Sequence, residues 1–206
     1  MISQTSIIIF SKKPYQESDL IVNGITPDYG KTSLLLYRGM KIAEKKFPTC
    51  DIFQEFDVVF DNKNGSSNIY KPTEFELATD FSSLAENPKN FKFIGKIGSF
   101  LMKNVQENIP SPFLYDTLRN VMIQLIIDDN TDGKWTPTQC ATAIKMVFLY
   151  ENGLLPAEGT PQQLDIIENI ISCAIEGTLL PELSPQYYMQ LNQWLDALLE
   201  FHKIEK

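Results

Sequence analysis

The sequence is poor in the residue types that do chemistry. Its single histidine is His202, and its three cysteines, Cys50, Cys140 and Cys173, stand far apart with no CxxC pairing. A structural zinc site needs four clustered Cys or His ligands, which so scattered a set excludes, so no metal is expected. An odd number of unclustered thiols fits a reducing compartment, with each cysteine a small buried apolar residue and not a bridge. No run approaches the roughly 18 apolar residues of a membrane-spanning helix. The short run Ile7–Phe10 follows no basic start of the kind that opens a secretory leader. The expectation is a cytoplasmic protein with no membrane partner.

Enzymatic machinery is also missing. Catalysis needs a nucleophile with its base, paired carboxylates in a cleft, a metal or a phosphate cradle. His202 sits near the end of a helical stretch, where its favourable interaction with a helix C-terminus accounts for it. Gly30-Lys31-Thr32 resembles the end of a phosphate-binding loop, but the glycine five positions upstream is replaced by Ile25 and a strand follows, so a hairpin turn is the better reading. Asp128-Asp129-Asn130-Thr131-Asp132-Gly133 lacks the spacing of a calcium loop and has Gln139 where the closing glutamate belongs. The expectation is a non-enzyme with no cofactor and no small-molecule substrate.

What is present is a chain that is 43% hydrophobic over 206 residues, enough to bury a core and to exclude disorder as the default. The net charge of −8 is unevenly spread. Residues 1–50 hold seven basic groups (Lys12, Lys13, Lys31, Arg38, Lys41, Lys45, Lys46) and four acidic ones (Glu17, Asp19, Asp28, Glu44), a net +3. The remaining 11 basic and 22 acidic groups leave residues 51–206 at −11. Opposite signs in two parts of one chain predict two kinds of surface.

The pattern along the chain divides the same way. Thr5–Ser11, Asp19–Ile25, Lys31–Gly39, Ile52–Phe60 and Ile69–Thr79 read as five short strands, separated by turn signals such as Thr26-Pro27-Asp28-Tyr29-Gly30 and Asp61-Asn62-Lys63-Asn64-Gly65. A small closed barrel is the economical arrangement, because closure removes exposed edges. From Phe81 the period turns helical. Ser111-Pro112, Thr136-Pro137, Thr160-Pro161 and Ser184-Pro185 each put a hydroxyl at the N-cap and proline at the first helical position, and Gln139 and Gln163 complete two capping boxes. A further helix is expected over Pro88–Asn108, weakened by Gly95 and Gly98. The fold class is therefore α+β: a five-stranded OB-type β-barrel over residues 1–80, then an all-α helical domain over 81–206.

In the first 50 residues, cations interleave with Tyr15, Tyr29, Tyr37 and Phe47. Rings beside phosphate-neutralising cations are what a barrel uses to hold single-stranded nucleic acid. A solvated strand face with its aromatics in the core accounts for the same pattern, since a one-residue register change moves a ring from surface to interior.

The order of these residues carries a resemblance. Ser11-Lys12-Lys13-Pro14-Tyr15-Gln16-Glu17-Ser18-Asp19-Leu20-Ile21-Val22, then Thr26-Pro27-Asp28-Tyr29-Gly30-Lys31, then Arg38-Gly39, resembles the opening of the RecO family of DNA repair and recombination mediators. In that family a basic, tyrosine-containing strand end runs into YxExDxIV, a Gly-Lys hairpin turn and a basic residue followed by glycine. More loosely, Phe53–Phe60 resembles the fourth barrel strand, Lys145–Pro156 the LLxxxGLxP helix end and Leu195–Lys206 the C-terminal helix. Two departures stand out: Ala157–Gln163 passes directly into the next helix where members often carry a Cys-rich zinc insert, and the helical domain is strongly acidic.

The resemblance implies binding of single- and double-stranded DNA, strand annealing and recombinase loading, with RecR-like and single-strand-binding proteins as partners. Under it Lys31, Arg38, Lys41, Lys45 and Lys46 are the expected phosphate contacts, with Tyr15 and Tyr37 stacking on bases. An acidic protein tail would dock on the helical domain in a groove rimmed by Arg119 with Lys103, Lys96 or Lys145. The alternative is a protein-interaction scaffold that keeps the fold but little DNA affinity.

Overall fold

The computed structural model describes residues 2–40, 47–61, 69–127 and 131–205, which form two compact units, 1–112 and 113–206. The turn residues 62–65, the residues 128–130 of the acidic loop, and Lys41, Lys45 and Lys46 lie outside the described residues.

In the first unit, β1 (Ile2–Tyr15), β2 (Asp19–Thr26), β3 (Gly30–Leu36), β4 (Gln54–Asp61), β5 (Ile69–Tyr70) and β6 (Pro72–Asp80) form one sheet of order β5-β3-β2-β1-β4-β6. β1 is long because it serves two partners: its first half pairs with β4, Ile2 opposite Asp61, and its second half with β2, Tyr15 opposite Asp19. Ile7, Ile8 and Ile9 are all fully buried. A strand whose successive side chains point to opposite faces must then be covered on both. Ile7 and Ile9 join Val22, Leu34, Phe56 and Phe60 in the core. On the other face α1 (Pro88–Asn104) lies against β1 and β2. Gly98 lets this happen, because a Cβ there would come within 2.3 Å of the Phe10 ring.

The expected fifth strand is divided, so the sheet has six strands and is open, where five in a closed barrel were expected. β5 pairs in parallel with β3, and β6 pairs antiparallel with β4. Lys71 is where the chain leaves one edge of the sheet for the other, and Pro72, lacking an N–H, cannot carry a ladder across that step. The two ends of the sheet are thus consecutive segments of chain.

The first unit continues past the sheet to Pro112, through a short 3-10 turn (Ser82–Glu86), α1 and the segment after it. That segment is tied to the Pro27–Lys31 hairpin end: Lys31 N–H donates to Gln106, Asn108 N–H to Tyr29 and Ser111 N–H to Pro27, at 3.1, 2.8 and 2.8 Å. Gly30 permits the approach twice over. Its φ of +59° suits glycine, and any Cβ would stand 2.3 Å from the Gln106 carbonyl oxygen.

The second unit contains α2 (Pro112–Ile126), α3 (Pro137–Glu151), α4 (Pro161–Glu176) and α5 (Pro185–Phe201). All four begin at the prolines marked in the sequence. Both capping boxes form, Thr136 with Gln139 and Thr160 with Gln163, and Ser184 Oγ accepts from Tyr187 N–H. At α2 the first-turn N–H groups of Phe113 and Leu114 are taken by the Glu151 carboxylate, at 3.0 and 3.3 Å. α3 is the central helix, with Ala143, Ile144, Met146, Val147 and Leu149 buried and both α4 and α5 against it. Asn192 locks α5 to α3 by donating to the Thr138 carbonyl (3.0 Å) and to Thr142 Oγ1. Among the described residues no helix is long and apolar enough to cross a membrane.

Candidate nucleic-acid interface

The expected contact residues sit at opposite ends of β3. At its C-terminal end, Tyr15 from the end of β1 and Tyr37 just after Leu36 are 41% and 44% exposed, so both rings point outward. Tyr29 does the reverse, packing edge-on against Phe60 with ring centroids 5.3 Å apart. Phe47 also belongs to the core, against Phe75.

The turn that presents Tyr37 and Arg38 is held by a buried carboxylate. Asp19, 8% exposed, accepts the Arg38 N–H at 2.8 Å, and Met40 N–H donates to the Ser18 carbonyl at 3.0 Å. Arg38 takes a φ of +53°, unusual for a residue with a Cβ, and the charged acceptor at its N–H stabilises that conformation. The Tyr15–Asp19 and Arg38-Gly39 motifs, about twenty residues apart in sequence, are therefore two halves of one local structure.

One residue of this end was not singled out in the sequence. Lys71, the exposed link between β5 and β6, places its ammonium 5.5 Å from the centroid of the Tyr37 ring. The hydrogen bond with Tyr37 and then its electrostatic pull hold Lys71 above the ordinary lysine value, with Tyr15 adding in the same direction. Three separate segments thus gather two exposed tyrosines, Arg38 and Lys71 at one end of the sheet. Nothing local in the sequence announces Lys71, since its position follows from the parallel pairing of β5 with β3.

Lys31 lies at the other end of β3, about 20 Å away at the usual rise per strand residue. Its ammonium is 4.0 Å from a Glu107 carboxylate oxygen. Lys12 is likewise paired, with Asp51 at 2.8 Å. Neither stands with the tyrosine end as an uncompensated cation.

The cations considered as a rim for an acidic tail belong to different units. Lys96 and Lys103 lie on α1 in the first unit and Arg119 on α2 in the second. Lys145 on α3 is held by Asp196 at 2.7 Å and Asn192 at 3.2 Å. Among the described residues, no group of three or more His, Cys, Asp or Glu side chains is placed to hold a metal ion.

Comparison with known proteins bears on the same part of the chain. Residues 1–80 match the family described as Recombination protein O N terminal. Residues 1–80 are thus similar to the N-terminal domain of the RecO family. A RecO relative, the DNA repair protein RecO of Thermodesulfovibrio yellowstonii (strain ATCC 51303 / DSM 11347 / YP87), is 26% identical over 121 residues, which is 59% of this chain and 48% of the relative. The match thus spans about half the length of that RecO protein. The RecO match ends at residue 80, the end of β6, and so contains Tyr15, Tyr37, Arg38 and Lys71 together.

Proposed function

We propose that this chain is a DNA repair and recombination mediator of the RecO kind, acting by binding and not by catalysis. In this reading it holds single- and double-stranded DNA and promotes strand annealing and recombinase loading in the cytoplasm, together with RecR-like and single-strand-binding proteins. Its N-terminal domain is of OB type in an open form, with β5 and β6, joined through Lys71, pairing with β3 and β4 at the two edges of the sheet. The observation that carries the reading is the convergence of Tyr15, Tyr37, Arg38 and Lys71 within the RecO-like domain. Aromatic faces stack on bases regardless of sequence, and adjacent cations neutralise phosphates.

The phosphate contacts of this interface are Arg38 and Lys71 with Lys41, Lys45 and Lys46, while Lys31 takes little part. Fluorescence anisotropy of labelled single-stranded DNA across a salt series tests it. Five phosphate contacts predict that log affinity falls against log salt with a slope of magnitude roughly 3 to 4. A slope near zero, or no binding at low salt, would contradict the reading. It would favour the alternative, a protein-interaction scaffold with little DNA affinity, whose support is the pairing of Lys12 and Lys31 with carboxylates and the acidity of the helical unit.

A further inference from the structure

The second unit has an apolar groove of about 400 Å³ between the first halves of α4 and α5, closed at one end by the loop that leads into α4. Leu164 and Ile167 of α4 and Tyr187, Leu191 and Trp194 of α5 form its walls. Tyr187, Leu191 and Trp194 follow one another at i, i+4 and i+7, and Trp194 remains partly exposed although Leu195 beside it is fully buried. This is the stripe with which a helical surface receives a second amphipathic segment.

The charge around the groove decides what kind of segment fits. Glu158 is its one ionisable wall residue apart from Tyr187, and Asp165 and Glu168 are exposed on α4 beside the apolar wall. Between Lys145 and Lys203 the sequence holds no Lys or Arg, so α4 and α5 carry none, while Glu158, Asp165, Glu168, Glu176, Glu182, Asp196 and Glu200 are spread over residues 158–200. An acidic tail would meet only like charge here. We propose that this groove is a docking site for a basic amphipathic segment of a protein partner, whose apolar side chains enter between Leu164, Ile167, Leu191 and Trp194 and whose Lys or Arg side chains meet Glu158, Asp165 and Glu168. The proposal concerns the helical unit alone and stands apart from the DNA interface.

The test uses the full chain and two fluorescein-labelled peptides of about 15 residues, long enough to sustain a helix. One is built of Leu and Lys with all Leu on one face, and the other has Glu in place of every Lys. The Leu/Lys peptide binds, more weakly as salt rises, and shifts Trp194 emission, whereas the Leu/Glu peptide does not bind. Leu191→Ala and Trp194→Ala each weaken the Leu/Lys peptide about tenfold, as loss of a central apolar anchor does. Glu158→Lys weakens it while preserving the apolar wall. Emission from Trp135, 2% exposed, reports that each variant is folded. The proposal is overturned if the Leu/Glu peptide binds equally well. It is also overturned if Leu191→Ala and Trp194→Ala, both folded, bind the Leu/Lys peptide unchanged, because the peptide then coats an acidic surface at large. Sedimentation showing that the protein alone self-associates through Leu191 and Trp194 would overturn it in favour of a second copy.

Discussion

The two units bury their cores in different ways and differ in net charge. The sheet unit is balanced in charge, with thirteen basic and thirteen acidic groups over residues 1–112. The helical unit holds five basic groups against thirteen acidic ones and so carries the whole net charge of −8. Its helices α3 to α5 start at local signals, caps and prolines that act within one turn of chain, while the first turn of α2 is satisfied by Glu151. The sheet is fixed by pairings between distant segments, which bring Tyr15, Tyr37 and Lys71 together at one end. Net charge computed over the chain therefore says little about what the sheet unit can bind.

This contrast predicts where the molecule breaks. Phe56 is fully buried and stacked on Phe75 with centroids 4.1 Å apart, in the middle of the sheet core. Phe56→Ala is expected to cost about 3–5 kcal/mol in chemical denaturation. A loss under about 1 kcal/mol would mean that this core is not the sheet's main support. Asp19→Ala removes the buried acceptor of the Arg38 N–H and is expected to cost about 1–3 kcal/mol, and to weaken DNA binding through the displaced turn. An Asp19→Ala variant with unchanged stability and DNA affinity would dissociate the two motif halves.

In the helical unit the corresponding changes are smaller and local. Thr136→Ala and Thr160→Ala each remove a capping-box hydroxyl and should cost about 1 kcal/mol, additively, because the two caps serve different helices. Thiol chemistry gives a sharper map of burial in both units. Burial pushes the thiols of Cys50 and Cys140 up to about 12, so neither forms the reactive thiolate at neutral pH. Among the three, only the half-buried Cys173 should react with a thiol reagent before unfolding. Rapid labelling of Cys50 or Cys140 in the native protein would contradict the packing around them.

The smallest effect is a pH dependence. Burial raises the Glu151 carboxyl above its ordinary value, outweighing the two N–H groups it accepts from α2. The folded state therefore holds this proton more tightly than the unfolded state. Its contribution is fully present below the unfolded value and is lost as pH rises through the folded one. The stability of the native protein relative to Glu151→Gln should fall as pH is raised from about 4 through the upper carboxylate range. A difference that rises with pH would reverse the sign of the burial effect.

Much of this was legible in the sequence, and unevenly so. The four prolines mark the starts of α2 to α5 to the residue, and at α3, α4 and α5 the preceding Thr136, Thr160 and Ser184 cap the helix, because a cap and a proline at the first helical position act on their immediate neighbours. The hairpin over Asp19–Gly39 was equally plain, and β2 and β3 form it. The division of the last strand was not, since whether Ile69–Asp80 pairs with one neighbour or two depends on β3 and β4, more than thirty and about ten residues upstream. Lys71 went unnoticed for that reason. Lys31 and Arg38 are near in sequence, yet an extended strand puts them at opposite ends of β3. Gly98 seemed a weakness in α1 and is the place where Phe10 packs.

The two ends of β3 offer the most direct test of the proposed interface. Single-stranded DNA affinity is measured at one moderate salt concentration for the native protein, for Tyr37→Ala/Lys71→Ala and for Lys31→Ala. Loss of a stacking ring and a neighbouring cation should weaken binding by roughly 10- to 100-fold, since base stacking alone contributes about 1–3 kcal/mol, whereas Lys31→Ala should change it by no more than about threefold. Equal losses in the two variants, or a larger loss in Lys31→Ala, would show that DNA does not track the Tyr15–Tyr37–Lys71 end of the sheet.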